Sequence, residues 1–166
     1  LPIFVALVGA LIALRRGRSR SPGVQFDELL EVSRTLALAR TRGDVERIAS
    51  EEAARLLGGP APATAAVVRR SATELEIGYE TLSGVLVPER LGDGLLNRVV
   101  ETGQSVGSVV THEPALRSLP SSLAAVPIIG SGRVEGVILV VRTPDRPFAA
   151  DELGVLGEQP GRQAPG

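Results

Sequence analysis

The chain has 166 residues, 43% of them hydrophobic and 2% aromatic, with a formal net charge of -1. That length suits one compact domain of roughly 100–150 residues with flanking pieces, its core aliphatic, and the near-zero charge sets up no global field to draw nucleic acid. The absence of Cys excludes a disulfide framework, a thiolate nucleophile, zinc–thiolate coordination and a thioether-linked cofactor.

Every basic residue is Arg, and Lys, Met and Trp are missing, a bias like that of a GC-rich bacterial genome. With no Met at position 1, the expectation is a fragment truncated at its start or a reading frame begun at an alternative codon. Leu1 to Leu14 carries no charged or strongly polar residue, and Arg15-Arg16-Gly17-Arg18-Ser19-Arg20 follows at once. As a helix at ~1.5 Å per residue the apolar run covers about 20 Å of a ~30 Å hydrocarbon core. Apolar residues followed by clustered Arg read as the cytoplasmic end of a membrane helix. A signal peptide would place its charges before the apolar run, and a buried core helix, the other reading of a run apolar on every face, would leave the arginines after it in need of water or lipid headgroups. The expected order is the C-terminal part of a transmembrane helix (1–14), a basic juxtamembrane linker (15–24), a domain (25–157) and a disordered tail (158–166).

Within the domain, Phe26, Leu29, Leu30, Leu36 and Ala37 form a one-sided stripe, predicting a helix from Gln25. Arg40 and Arg42 would sit near its end, with Gly43 as a left-handed cap. Asp44 is expected to cap a second helix whose stripe is Val45, Ile48, Ala49, Glu52/Ala53, Leu56 and Leu57, ended by Gly58-Gly59-Pro60. The period then changes. Thr64 to Arg70 reads as a strand, Ser71-Ala72-Thr73 as a turn, and Leu75, Ile77 and Tyr79 as the alternate residues of a second strand. Val85 to Val87 gives a third, Leu91-Gly92-Asp93-Gly94 a loop, and Leu95 to Glu101 a short helix closed by Gly103. Ser105 to Val110 is a strand and His112 to Ser122 is irregular or briefly helical. Leu123 to Ile129 and Val134 to Arg142, around Gly130-Ser131-Gly132-Arg133, predict a β-hairpin. Its strands are apolar almost throughout, so both sheet faces should be covered, one by helices and the other by the loops around Asp93 and His112. The fold class is α+β with an antiparallel sheet.

These residues resemble the GAF family of sensory domains over roughly Phe26 to Leu156. The resemblance rests on Leu91-Gly92-Asp93-Gly94-Leu95, on Val99-Val100-Glu101-Thr102-Gly103-Gln104-Ser105-Val106, on Ser122-Leu123-Ala124-Ala125-Val126-Pro127-Ile128, and on Gly136-Val137-Ile138-Leu139. Phe148 and Asp151-Glu152-Leu153 are similar to the start of the family's closing helix. The resemblance implies a GAF/PAS-like sheet flanked by helices, preceded here by the partial transmembrane helix. It also implies a sensory, non-catalytic role, homodimerisation and a small-molecule ligand. In the family the closing helix runs on into a coiled coil and an output domain. Gly157, Pro160, Gly161 and Pro165 stop it here, and no output domain is expected within this chain. Lacking Cys, the chain cannot be a bilin-linking or a methionine-sulfoxide-reducing member, and it carries no charged signature of cyclic-nucleotide binders.

The pocket candidates are Asp93, Leu95, His112 and Arg117. His112, the single His, is either a polar or haem-ligating contact in the pocket roof or a surface residue between Thr111 and Glu113. Asp93 is a ligand contact or a solvated turn residue. Arg117 is a bidentate grip for an anion or an ordinary loop arginine. Glu51-Glu52 and Asp151-Glu152 are adjacent, so the members of each pair do not face one another on a helix, and they read as solvated faces or helix-start charges, not as a general acid and base. Without Lys there is no phosphate-binding Gly-Lys-Ser/Thr loop. The reading is a sensory module at the cell inner membrane with its GAF-like domain cytoplasmic. No catalytic or metal site and no nucleic-acid partner is expected, and no cofactor is identified. The alternative is a structural or interaction module without a ligand.

Overall fold

The computed structural model describes residues 41–58 and 63–149. The expected membrane helix, basic linker, helix from Gln25, closing helix and tail lie outside the described residues. Among those described, no helix is long and apolar enough to cross a membrane.

The first described helix, α1 (Arg42–Gly58), starts three residues earlier than an Asp44 cap would place it. The Asp44 N–H donates to Thr41 Oγ1 at 3.1 Å, and the Thr41 N–H donates to Asp44 Oδ2 at 3.1 Å. Thr41 is therefore the N-cap and Asp44 the third residue of a reciprocal capping box. Arg42 and Gly43 open this helix instead of closing the one before it. Gly43 has no positive φ, as a left-handed cap would need. The expected stripe holds: Val45, Ile48, Ala49, Ala53 and Leu57 are buried, while Glu52 turns outward to Arg55 at 2.6 Å.

Five strands follow: β1 (Thr64–Arg70), β2 (Leu75–Glu80), β3 (Val106–Val110), β4 (Ser121–Gly130) and β5 (Arg133–Arg142). They form one antiparallel sheet in the order β2-β1-β5-β4-β3. Side chains alternate between its faces with period two. Ala65, Val67, Val126, Ile128, Ile138 and Val140 meet α1 on one face. Ala66, Val68, Leu123, Ala125, Val137 and Leu139 face the other way, under α2 (Leu95–Thr102) and its loops. Both faces are covered, as the apolar strands require. The β4–β5 hairpin closes on the Gly130–Arg133 pair, with Ser131 at φ 55 and Gly132 at φ 78. Two successive positive φ values are those of a type I′ turn, which matches the strand twist. Pro127 pairs with Val137, while the β3 ladder on its other side has already ended at Ala125, so no inter-strand donor is missed there. At Gly136 a side chain would meet the Val68 carbonyl oxygen at 2.5 Å, which is why the backbones of β1 and β5 approach here.

One expected strand is not in the sheet. Of Val85 to Val87, Leu86 makes a single bridge to Leu116. The Val87 N–H donates to the Ala115 carbonyl and the Arg117 N–H to the Val85 carbonyl, each at 2.9 Å. The β-branched run pairs with another loop, and the two together roof the second face.

Candidate functional site

The roofed face is built on α2. Its residues Leu95, Leu96, Val99 and Val100 are buried at helical spacing. Gly103 closes the helix in the left-handed region at φ 66, and its N–H donates to the Val99 carbonyl at 2.9 Å. At the other end no local side chain caps the helix. The acceptor comes from a distant loop. The buried Glu113 carboxylate accepts from the Leu95 N–H at 3.1 Å and from the Ala115 N–H at 3.3 Å. A carboxylate at a helix N-terminus is stabilised by the unsatisfied amides and the helix dipole. Gly94 makes room for it, since a Cβ there would run into the carboxylate.

Beneath this roof the interior is filled. Leu86, Leu91, Leu96, Val99, Leu123 and Leu139 are each exposed by 1% or less. Beside it lies an open groove of about 570 Å³ between the β1–β2 turn, the 3-10 turn Pro88–Arg90 with the loop after it, and α2. Leu75, Leu91 and Val100 give it apolar walls. Arg70, Glu74, Glu89, Asp93 and Glu101 give it charge, one cation against four carboxylates. Asp93 pairs with Arg90 at 3.6 Å, and the Asn97 amide donates to Glu101 at 3.1 Å.

Of the four residues singled out by sequence, the structure places Asp93 on this groove and the other three elsewhere. Leu95 is a core residue, 9% exposed. His112 is exposed and does not line the groove. Arg117 braces a loop, its Nε donating to the Gly84 carbonyl at 2.9 Å. Arg70, Glu74, Asn97 and Glu101 were not singled out because the groove draws on three segments that meet only in space. Glu113 had one legible signal: a helix entered through Gly94 with no capping side chain of its own needs an acceptor from elsewhere.

A second polar cluster lies under α1, on the opposite face. Glu46 is 2% exposed, with Arg42 Nε at 3.2 Å and Arg69 Nε at 3.4 Å from its carboxylate. It sits over Gly78, where any Cβ would collide with it. Burial pushes its pKa up, against the pull of Arg69 and Arg42. At the end of β5, buried Arg142 donates to the Leu57 carbonyl at 2.9 Å, Arg146 at 2.6 Å and Pro147 at 2.7 Å. Its guanidinium lies 3.8 Å from the centre of the Phe148 ring. It thereby ties the C-terminus of α1 to the chain leaving the sheet. Among the described residues, no group of three or more His, Cys, Asp or Glu is placed to hold a metal ion.

No protein-family model matches the chain, and none of the curated proteins compared with it does. Solved structures do. The GAF domain of a phosphoenolpyruvate-protein phosphotransferase from Coxiella burnetii superposes with a TM-score of 0.60 at 14% identity, covering 77% of this chain and 83% of that one. The GAF domain of the Acinetobacter phosphoenolpyruvate-protein phosphotransferase gives 0.60 at 16% identity, over 84% and 95%. The A. aeolicus nlh2 GAF domain, in an inactive state, gives 0.55 at 19% identity, over 76% and 82%. The chain has the GAF-domain fold, as its ordered motifs implied.

Proposed function

We propose that this chain is a non-catalytic regulatory module of a membrane-anchored signal-transduction protein, taking a small molecule in the groove and working as a homodimer. The groove carries the reading. Its volume of about 570 Å³ falls in the range of small-molecule sites, roughly 300–1,000 Å³. Its walls come from separate elements, so a ligand touching both the β1–β2 turn and α2 would favour one packing of the roof over another. Arg142 supports a relay, because it joins α1 to the outgoing chain. The Leu1–Leu14 run and the arginines after it support an inner-membrane anchor with the domain on the cytoplasmic side.

The test of ligand binding is the melting temperature of the full chain against a broad metabolite panel. A ligand at a hundred times its Kd should add about 2.7 kcal/mol of stability. Unchanged melting across the panel would count against it. For the anchor, a fusion carrying residues 1–24 behind restored upstream sequence should stay in the membrane fraction after carbonate washing. Its release would contradict the anchor. A second reading, a structural or interaction module without a ligand, is favoured by the filled interior beneath the roof.

A further inference from the structure

The two edges of the sheet are unlike. β2 carries Glu76 and Glu80, with Glu74 just before it. Charges on an edge strand discourage pairing with another chain. β3, at the other edge, has none: from Gly103 to Thr111 there is no charged residue and no Pro. Among the described residues it pairs with β4 alone, leaving a row of backbone N–H and C=O groups on its outer side. Val109 on this strand is 49% exposed, and Gly107, two residues before it and so on the same face, is exposed as well.

We infer that β3 is the pairing edge for a second copy of this chain, joined antiparallel about a two-fold axis at Ser108. The sequence is self-complementary in that register. Val106 falls opposite Val110 of the second copy. Gly107 falls opposite its Val109, so the exposed valine lies over a residue with no side chain, twice by symmetry. Beyond the strand, Ser105 meets Thr111 and Gln104 meets His112, so no like charges oppose each other. A C2 contact requires this matching of a surface with itself. The pairing would join two five-stranded sheets into one and satisfy both open edges. It gives the homodimer of the proposed function a surface, and rests on that part of the reading and not on the groove.

The chain contains no Cys, so a cysteine placed on the axis reports the contact directly. The full chain carrying Ser108→Cys, in detergent micelles under mild oxidation, should give a covalent dimer. The same chain with Thr73→Cys, in the β1–β2 turn, should not. Adding Val109→Lys, an exposed position that tolerates the change with an unaltered melt, should cut the Ser108→Cys dimer by about tenfold or more. A dimer in sedimentation that neither cross-links at Ser108 nor weakens with Val109→Lys would overturn this interface while leaving dimerisation intact. A monomer throughout would overturn both.

Discussion

A methyl group at Gly94 would occupy the space of the Glu113 carboxylate, and at Gly78 that of the Glu46 carboxylate. Each glycine is thus the seat of a buried acid, and substitution should act through the acid it displaces. Gly94→Ala should cost about 2 kcal/mol, because two amides lose a charged acceptor inside the protein. Differential scanning calorimetry would show it as a fall in Tm, and an unchanged Tm would mean that Glu113 is not needed there. Glu46 makes a pH prediction. Its folded pKa lies above the unfolded value of 4.5, mainly because of burial. A raised pKa means that the folded state holds the proton more tightly. The stability this group contributes is therefore full below the unfolded pKa and lost as pH rises through the folded one. The stability of the native chain relative to Glu46→Gln should accordingly decline in urea melts over the window that opens as pH rises past 4.5. A relative stability that rises over that window would show the ion pairs with Arg69 and Arg42 outweighing burial.

At the level of elements, what could be read in the sequence depended on how local the cause was. The β4–β5 hairpin was legible because its β-branched runs and its Ser131-Gly132 turn are contiguous and act together. The start of α1 lies three residues before the one an Asp44 cap implies, because Thr41 and Asp44 are both good capping residues. Only their reciprocal bonds decide between them. Thr41→Ala should therefore cost about 1 kcal/mol, a loss that an Asp44 cap would not produce. Val85 to Val87 has strand chemistry, but its partner is a loop some thirty residues on. Arg142 was read only as the end of a strand, since its acceptors on α1 and the outgoing chain are brought to it by the fold. Arg142→Ala should lower stability by about 2–4 kcal/mol, as several charged hydrogen bonds are lost from a buried position. Arg142→Lys should recover only a part, because an ammonium lacks the planar fork that reaches separate carbonyls. Hydrogen exchange at the C-terminal end of α1 should speed up in both variants.

For the whole molecule, the GAF-type arrangement was legible from the order and spacing of its motifs, and the superpositions agree on the fold. The site was less so. Asp93 stands out as a candidate in the sequence because the loop containing it is a compact motif, whereas Arg70, Asn97 and Glu101 reach the groove through the packing of α2 beside the β1–β2 turn. Ala72 lies exposed at the groove, so a bulky residue there should fill it with little effect on folding. The most direct measurement is isothermal titration of the full chain and its Ala72→Trp variant with whichever metabolite raises the native Tm most. Occupancy of the groove predicts saturable one-site binding that weakens by about tenfold or more in Ala72→Trp while the variant melts normally. Equal affinity in both chains would contradict it.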